Sequence, residues 1–320
     1  MENKELRQLE NSVEIVGTLK AKNLKMATSK KGRDYVSGNL IVQSEIGDKI
    51  HEHRVSVFMM KDSKLFKGIE TVSKEYKAIE DVGKENADKI RVTGELGLNE
   101  WYNRNGQLIQ RNEIKGVFFN RVEPDEADKA LATIETVVTG FEPIIDESGL
   151  PTGEKKIEGF TVGWGNNVID LVDAVVKADL VEAMENLYTP GSTGSITYNL
   201  NNYVLVDENP EKVETVNHGF GSQEKVDSQV ATKYVNNIEV FGGSVPYFGT
   251  IEYTEEEIQT ARQVRQMALE ALQAPPPATP ANTPGFGTVE TNSSANTDNN
   301  PFEQYVSEQA DAVLGGMPDF

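Results

Sequence analysis

The 320-residue sequence predicts a mainly β protein. Three observations carry this. Short segments with an apolar residue at every second position recur as far as residue 243. Glycine- and asparagine-bearing turns punctuate them, and one order of strands and helix is met twice.

The first segment, SVEIVGTL (12–19), alternates through Val13, Ile15, Gly17 and Leu19. A long basic loop, KAKNLKMATSKKGRD, is expected next. Strands follow over 34–44 and 49–60, joined at Gly47-Asp48, the second alternating through Val55, Val57 and Met59. Leu65, Phe66, Ile69, Val72 and Tyr76 then fall at helical spacing. Two further strands span 89–102 and 107–122, and Asn105-Gly106 between them is a strong hairpin signal. Three strands, a helix and two strands is the element order of the OB-fold, a five-stranded barrel that binds nucleic acid through its 1–2 and 4–5 loops.

The order repeats. ALATIETVVTGFEPI (130–144) precedes a turn at Asp146 to Gly149; EKKIEGFTVGW (154–164) and NNVIDLVDAVV (166–176) form a hairpin about Gly165-Asn166. A short helix is expected over 178–188 and strands over 194–206 and 233–243. The alternative is one barrel followed by an unrelated acidic β-rich domain. Thr254 and three glutamates then open an amphipathic helix over 254–273, with Ile258, Ala261, Val264 or Arg265, Ala268 and Leu272 on one face. From residue 274 the chain is rich in Pro, Thr, Asn and Ser, a composition that reads as disordered. The expected organisation is an N-terminal OB-fold nucleic-acid-binding domain (1–122), an OB-like acidic domain (130–250), a helix (251–273) and an acidic disordered tail (274–320) with an apolar tip.

The formal charge is −20, but unevenly placed: residues 1–122 carry a net +4 and residues 123–249 a net −15. Such asymmetry marks a polyanion-binding section beside acidic ones with another task. The absence of cysteine excludes disulfides and thiolate chemistry. No apolar run approaches the ~20 residues that span a bilayer, and MENKELRQLENS lacks a signal core. A cytoplasmic protein with no membrane partner is expected. No phosphate-loop or nucleophile-elbow motif is present, so neither an enzyme nor a cofactor is expected. His51 and His53, flanking Glu52, read as surface or edge histidines rather than a metal pair, for want of a third ligand.

The candidate binding residues cluster in the basic section. Lys20, Lys22, Lys25, Lys30, Lys31 and Arg33 line the first loop as a positive arm for phosphates, against the plainer reading of a solvated lysine-rich loop. Trp101 and Tyr102, with Arg104 beside them, sit at the 4–5 hairpin, where single-stranded bases stack on such rings; the competing reading folds Trp101 back over the barrel end. Alternation turns Tyr35, Arg54 and Phe58 to the same outer face, and Arg111 and Lys115 are expected backbone contacts. Of Phe118 and Phe119, one at most fits the core. Base stacking would fall to Trp101, Tyr102, Tyr35 and Phe58.

These residues, the stretch VTGELGLNEWYNRNG and the C-terminal tip together resemble the OB-fold single-stranded DNA-binding proteins, in their phage type. The resemblance implies sequence-independent binding and protection of single-stranded DNA during replication, recombination or repair, in the host cytoplasm. It also implies that replication and recombination proteins dock on Met317, Pro318, Asp319 and Phe320, although here Asp319 stands between Pro318 and Phe320. The −15 section would repel phosphates, so packing against the first barrel or self-association is expected of it, with helix 254–273 as a bundling element. The rival functions are a virion or assembly protein using two barrels as interaction modules, and a recombination mediator that anneals strands.

Overall fold

In the computed structural model, residues 5–206 and 232–273 are described. The first five strands are β1 (Asn11–Thr28), β2 (Asp34–Ile46), β3 (Lys49–Met60), β4 (Lys89–Tyr102) and β5 (Leu108–Arg121). Antiparallel pairs β1–β2, β2–β3, β5–β4 and β4–β1, with the parallel pair β3–β5, close them into a barrel. The alternation read from the sequence supplies its core: Val13, Ile15, Leu19, Leu40, Val42, Val55, Val57, Ile90 and Val92 are buried. Closure demands sharp bends. One falls at a bulge beside Gly94, where a Cβ would come within 1.9 Å of the Lys115 carbonyl oxygen. Helix α1 (Phe66–Glu75) buries Ile69 and Val72 against the barrel, worth about 1.5–3 kcal/mol each. The short α2 (Ile79–Val82) leads into β4.

The second set is β6 (Lys129–Ile145), β7 (Pro151–Gly163), β8 (Asn167–Asp170), β9 (Ala174–Val176), α3 (Ala178–Leu187), β10 (Thr193–Val206) and β11 (Thr232–Gly243). Its pairings β6–β7, β7–β9, parallel β9–β11, β11–β10 and β10–β6 repeat the order of the first barrel. The expected single strand over 166–176 is in fact two. The chain pairs with β7 through β8 and then bends at Asp173, with φ 52°, to enter beside β11. The Gly165-Asn166 turn is as expected, both residues having positive φ.

β1 joins the barrels. Its Asn11–Val16 stretch pairs antiparallel with Ile134–Lys129 of β6, so eleven strands form one sheet and one apolar core runs through both barrels. A second cluster lies under helix α4 (Glu255–Gln273), where Ile258 and Ala261 meet Val137, Phe160, Val162 and Val168. Thr254 caps α4, its Oγ1 accepting from the Glu257 backbone N–H at 3.3 Å while its own N–H donates to Glu257 Oε2 at 2.9 Å. The first half of the helix face expected to bundle subunits, Ile258, Ala261 and Val264, is thus spent inside the chain, while Ala268 is exposed. The polar-looking N-terminus also contributes: Leu6 and Leu9 are buried, and the Leu9 N–H donates to the Val162 carbonyl at 2.8 Å. None of the described helices is long and apolar enough to cross a membrane.

A candidate nucleic-acid interface

The outer face of the first barrel follows from register. In β3, Val55, Val57 and Met59 point inward, which turns Arg54, Ser56 and Phe58 outward. Pairing carries this face sideways. Asn23 of β1, Asn39 of β2, Ser56 of β3 and Lys115 of β5 form one row; Lys25, Ser37 and Phe58 form the next. Ser56 Oγ donates to Glu113 Oε1 at 2.5 Å, so β3 and β5 present the same side. On β4 that side is Glu95, Gly97, Asn99 and Trp101. Gly97 leaves room for the Lys115 stem, which a Cβ there would meet at 2.8 Å.

The face is cationic and aromatic. Trp101 is 37% exposed, and the Arg111 guanidinium lies 5.4 Å from its ring centre. Phe58 is equally exposed. Lys25, Arg54, Arg111 and Lys115 have no carboxylate partner among the described residues, nor do Lys30, Arg33 and Arg104 at the turns. Lys31 is exposed on the β1–β2 turn.

Several expected positions are corrected. The basic loop is mostly strand: β1 continues to Thr28, in register with β2 from Ala21↔Ile41 to Thr28↔Asp34, leaving only Ser29–Arg33 as the turn. Backbone pairing rather than burial holds this ribbon, so hydrophobic alternation did not reveal it. Lys20 lies on β1 and is ion-paired with Glu52. Lys22 faces the opposite side from Lys25, donating to the Tyr76 carbonyl and lying 3.4 Å from Asp81. Tyr102 follows Trp101 on the strand and so faces away from it. Tyr35 is on the outer side but only 6% exposed, tucked 5.3 Å from the Phe58 ring. It backs Phe58 rather than offering a free face. Of the phenylalanine pair, Phe119 is buried and Phe118 exposed.

His51 and His53 are not surface histidines. Both are buried at the seam between barrels, their rings 5.8 Å apart, with His51 4.9 Å from Tyr203 of β10. Burial, with His51 nearby, pushes the His53 imidazole down to about 3. The tip residues Met317, Pro318, Asp319 and Phe320 lie outside the described residues.

The corresponding face of the second barrel is occupied. Lys156 is bonded to Asp173 at 2.8 Å and Lys177 to Glu239 at 3.0 Å. The Glu239 hydrogen bond and charge hold the Lys177 ammonium above its usual range, burial opposing. Tyr203, outward on β10, carries Lys49 of the first barrel 4.3 Å from its ring centre. Packing of the acidic section against the first barrel was one expectation, but the residues of the seam were not legible, because nothing local pairs a β2–β3 hairpin with a strand 154 residues away.

Among solved structures, the chain is similar to the wild-type single-stranded DNA binding protein from Thermus aquaticus, at 14% identity over 78% of this chain and 99% of that one, with a TM-score of 0.47. A deletion mutant of that protein gives 15%, 77%, 99% and 0.45. The Plasmodium falciparum SSB complex with ssDNA gives 16%, 38%, 100% and 0.24. No curated protein matches the chain. The YorF family profile matches residues 10–275, five-sixths of the sequence and both barrels, and the chain therefore belongs to the YorF family.

Proposed function

We propose that this chain is a non-enzymatic binder of single-stranded DNA that reads no particular sequence. The observation that carries the reading is the outer face of the first barrel. Arg54, Arg111, Lys115 and Lys25 stand there without carboxylate partners among the described residues, on one side with the exposed rings of Phe58 and Trp101. Cations that no carboxylate neutralises are free to replace the counterions of a phosphate backbone, which makes binding salt-dependent. Rings stack on unpaired bases whatever their identity, worth ~1–3 kcal/mol per base. In this reading residues 1–122 hold the strand, residues 130–250 support them without touching it, and the C-terminal tip recruits partners in replication, recombination or repair, in a phage setting.

Gel shifts of the full chain with single-stranded and duplex DNA at two salt concentrations test this. Single strands should be preferred and salt should weaken binding. Trp101→Ala should weaken it further by roughly 5- to 150-fold, the loss of one stacked base. Equal affinity for duplex, or a Trp101→Ala variant that binds as well as its parent, overturns the reading.

A further inference from the structure

The ring that this reading relies on sits on an arm that needs support. The pairing of β5 with β3 involves only Ile114 and Lys115, so the ribbon of Gly97–Tyr102 and Leu108–Glu113 is two-stranded. An isolated two-stranded ribbon is marginal in water. Its inner side, however, is gripped by a helix from the far end of the chain. Arg265 of α4 is 9% exposed. Its Nη1 donates to Glu100 Oε1 at 2.8 Å and its Nη2 to Glu100 Oε2. Its Nε donates to Asp170 Oδ2 on β8 at 2.7 Å. Gln110 Nε2, on the partner strand of the ribbon, completes the set by donating to Glu100 Oε2 at 3.0 Å. One guanidinium thus ties together the arm of the first barrel, a strand of the second and the closing helix.

We infer that Arg265 is a positioning residue for the DNA-binding face: by fixing Glu100 it holds the β4–β5 arm so that Trp101 stays presented beside Arg111. The inference rests on the function proposed above. Glu100 and Trp101 are neighbours on one strand, so their side chains leave opposite faces, and an anchor on one fixes the direction of the other. The planar fork matches a carboxylate with two donors while a third reaches Asp170; lysine offers a single point charge and cannot reproduce this. Burial alone would raise the Glu100 carboxyl, yet the hydrogen bonds from Arg265 and Gln110 and the Arg265 charge hold it below its usual range. Removing Arg265 leaves a half-buried carboxylate without its cation, which is costly enough for the arm to shift and hydrate. A ring that wanders must be ordered again on binding, and affinity falls by that cost.

The test uses the full chain with Trp164→Phe, which leaves Trp101 as the remaining indole. Affinity for a labelled oligo-dT is measured by fluorescence anisotropy, and Trp101 mobility by its own emission anisotropy. Arg265→Ala should weaken binding about tenfold, a stacked base being worth roughly that much, and lower the Trp101 emission anisotropy. Arg265→Lys should fall between the two. In a Trp101→Ala background, Arg265→Ala should cost little more, because its route to the DNA is already gone. Equal losses in both backgrounds, or unchanged affinity in Arg265→Ala and Arg265→Lys, overturns the inference while leaving the face intact. If Arg265→Ala does not fold, the Arg265→Lys pair of measurements decides alone. A parent that ignores oligo-dT overturns the functional reading itself, and the role of Arg265 with it.

Discussion

The two barrels close through the same order of five strand pairings, β8 being an addition to the second, and differ in what their cations touch. On the outer face of the first, Arg54, Arg111 and Lys115 have no acid partner among the described residues. On the matching face of the second, Lys156 and Lys177 are each bound to a carboxylate, and Tyr203 is covered by Lys49. Topology alone therefore does not set which cations stay unpaired. The two faces differ through a few side chains whose charges are left open or closed off.

Breaking the comparison is most direct by charge reversal. Arg54→Glu with Lys115→Glu should lower affinity for single strands about 100-fold at low salt and flatten the salt dependence, each lost phosphate contact removing about 0.7 from the logarithmic slope. Lys156→Glu with Lys177→Glu should change neither. Equal effects from the two pairs in a titration would mean that both barrels hold the strand. The comparison is sharpened in the other direction by Asp173→Asn with Glu239→Gln, which releases both lysines. A new phosphate contact in the second barrel should then steepen the slope by up to about 0.7 per lysine. No change would locate the block in the Lys49–Tyr203 cover instead.

The seam offers a test of another kind, read in stability. The His53 imidazole sits at about 3 in the folded chain, against an ordinary value of 6.5. The unfolded chain therefore binds a proton first. Stability from keeping His53 neutral is complete above about pH 6.5 and is lost as the pH falls toward 3, by at most about 1.4 kcal/mol per unit. His53→Leu should flatten this part of the acid-unfolding profile between pH 6 and 4, as followed by denaturant melts. Parallel profiles for the two proteins would place the proton uptake elsewhere.

Much of this was legible in the sequence. Alternation through Val55, Val57 and Met59 fixed the inward side of β3, and with it the outward side of Arg54 and Phe58. The turn residues Asn105-Gly106 and Gly165-Asn166 marked two hairpins correctly. What escaped was held by forces without a local period. The ribbon from Ala21 to Thr28 is set by backbone pairing to β2, so its lysines read as loop. Tyr102 was misplaced by treating adjacent aromatics as one platform when strand geometry sends them apart. Arg265 looked like one of two residues competing for an apolar stripe, because its partners Glu100 and Asp170 lie 165 and 95 residues away.

The β1–β6 ladder has a consequence for how the molecule comes apart. Val13 and Ile15 of β1 belong to the same apolar cluster as Ala132 and Ile134 of β6. Neither half can melt without exposing side chains that the other half shelters, so we expect the halves to unfold together, with coincident fluorescence and circular-dichroism transitions. Damage to β6 is thus felt in the first barrel as well.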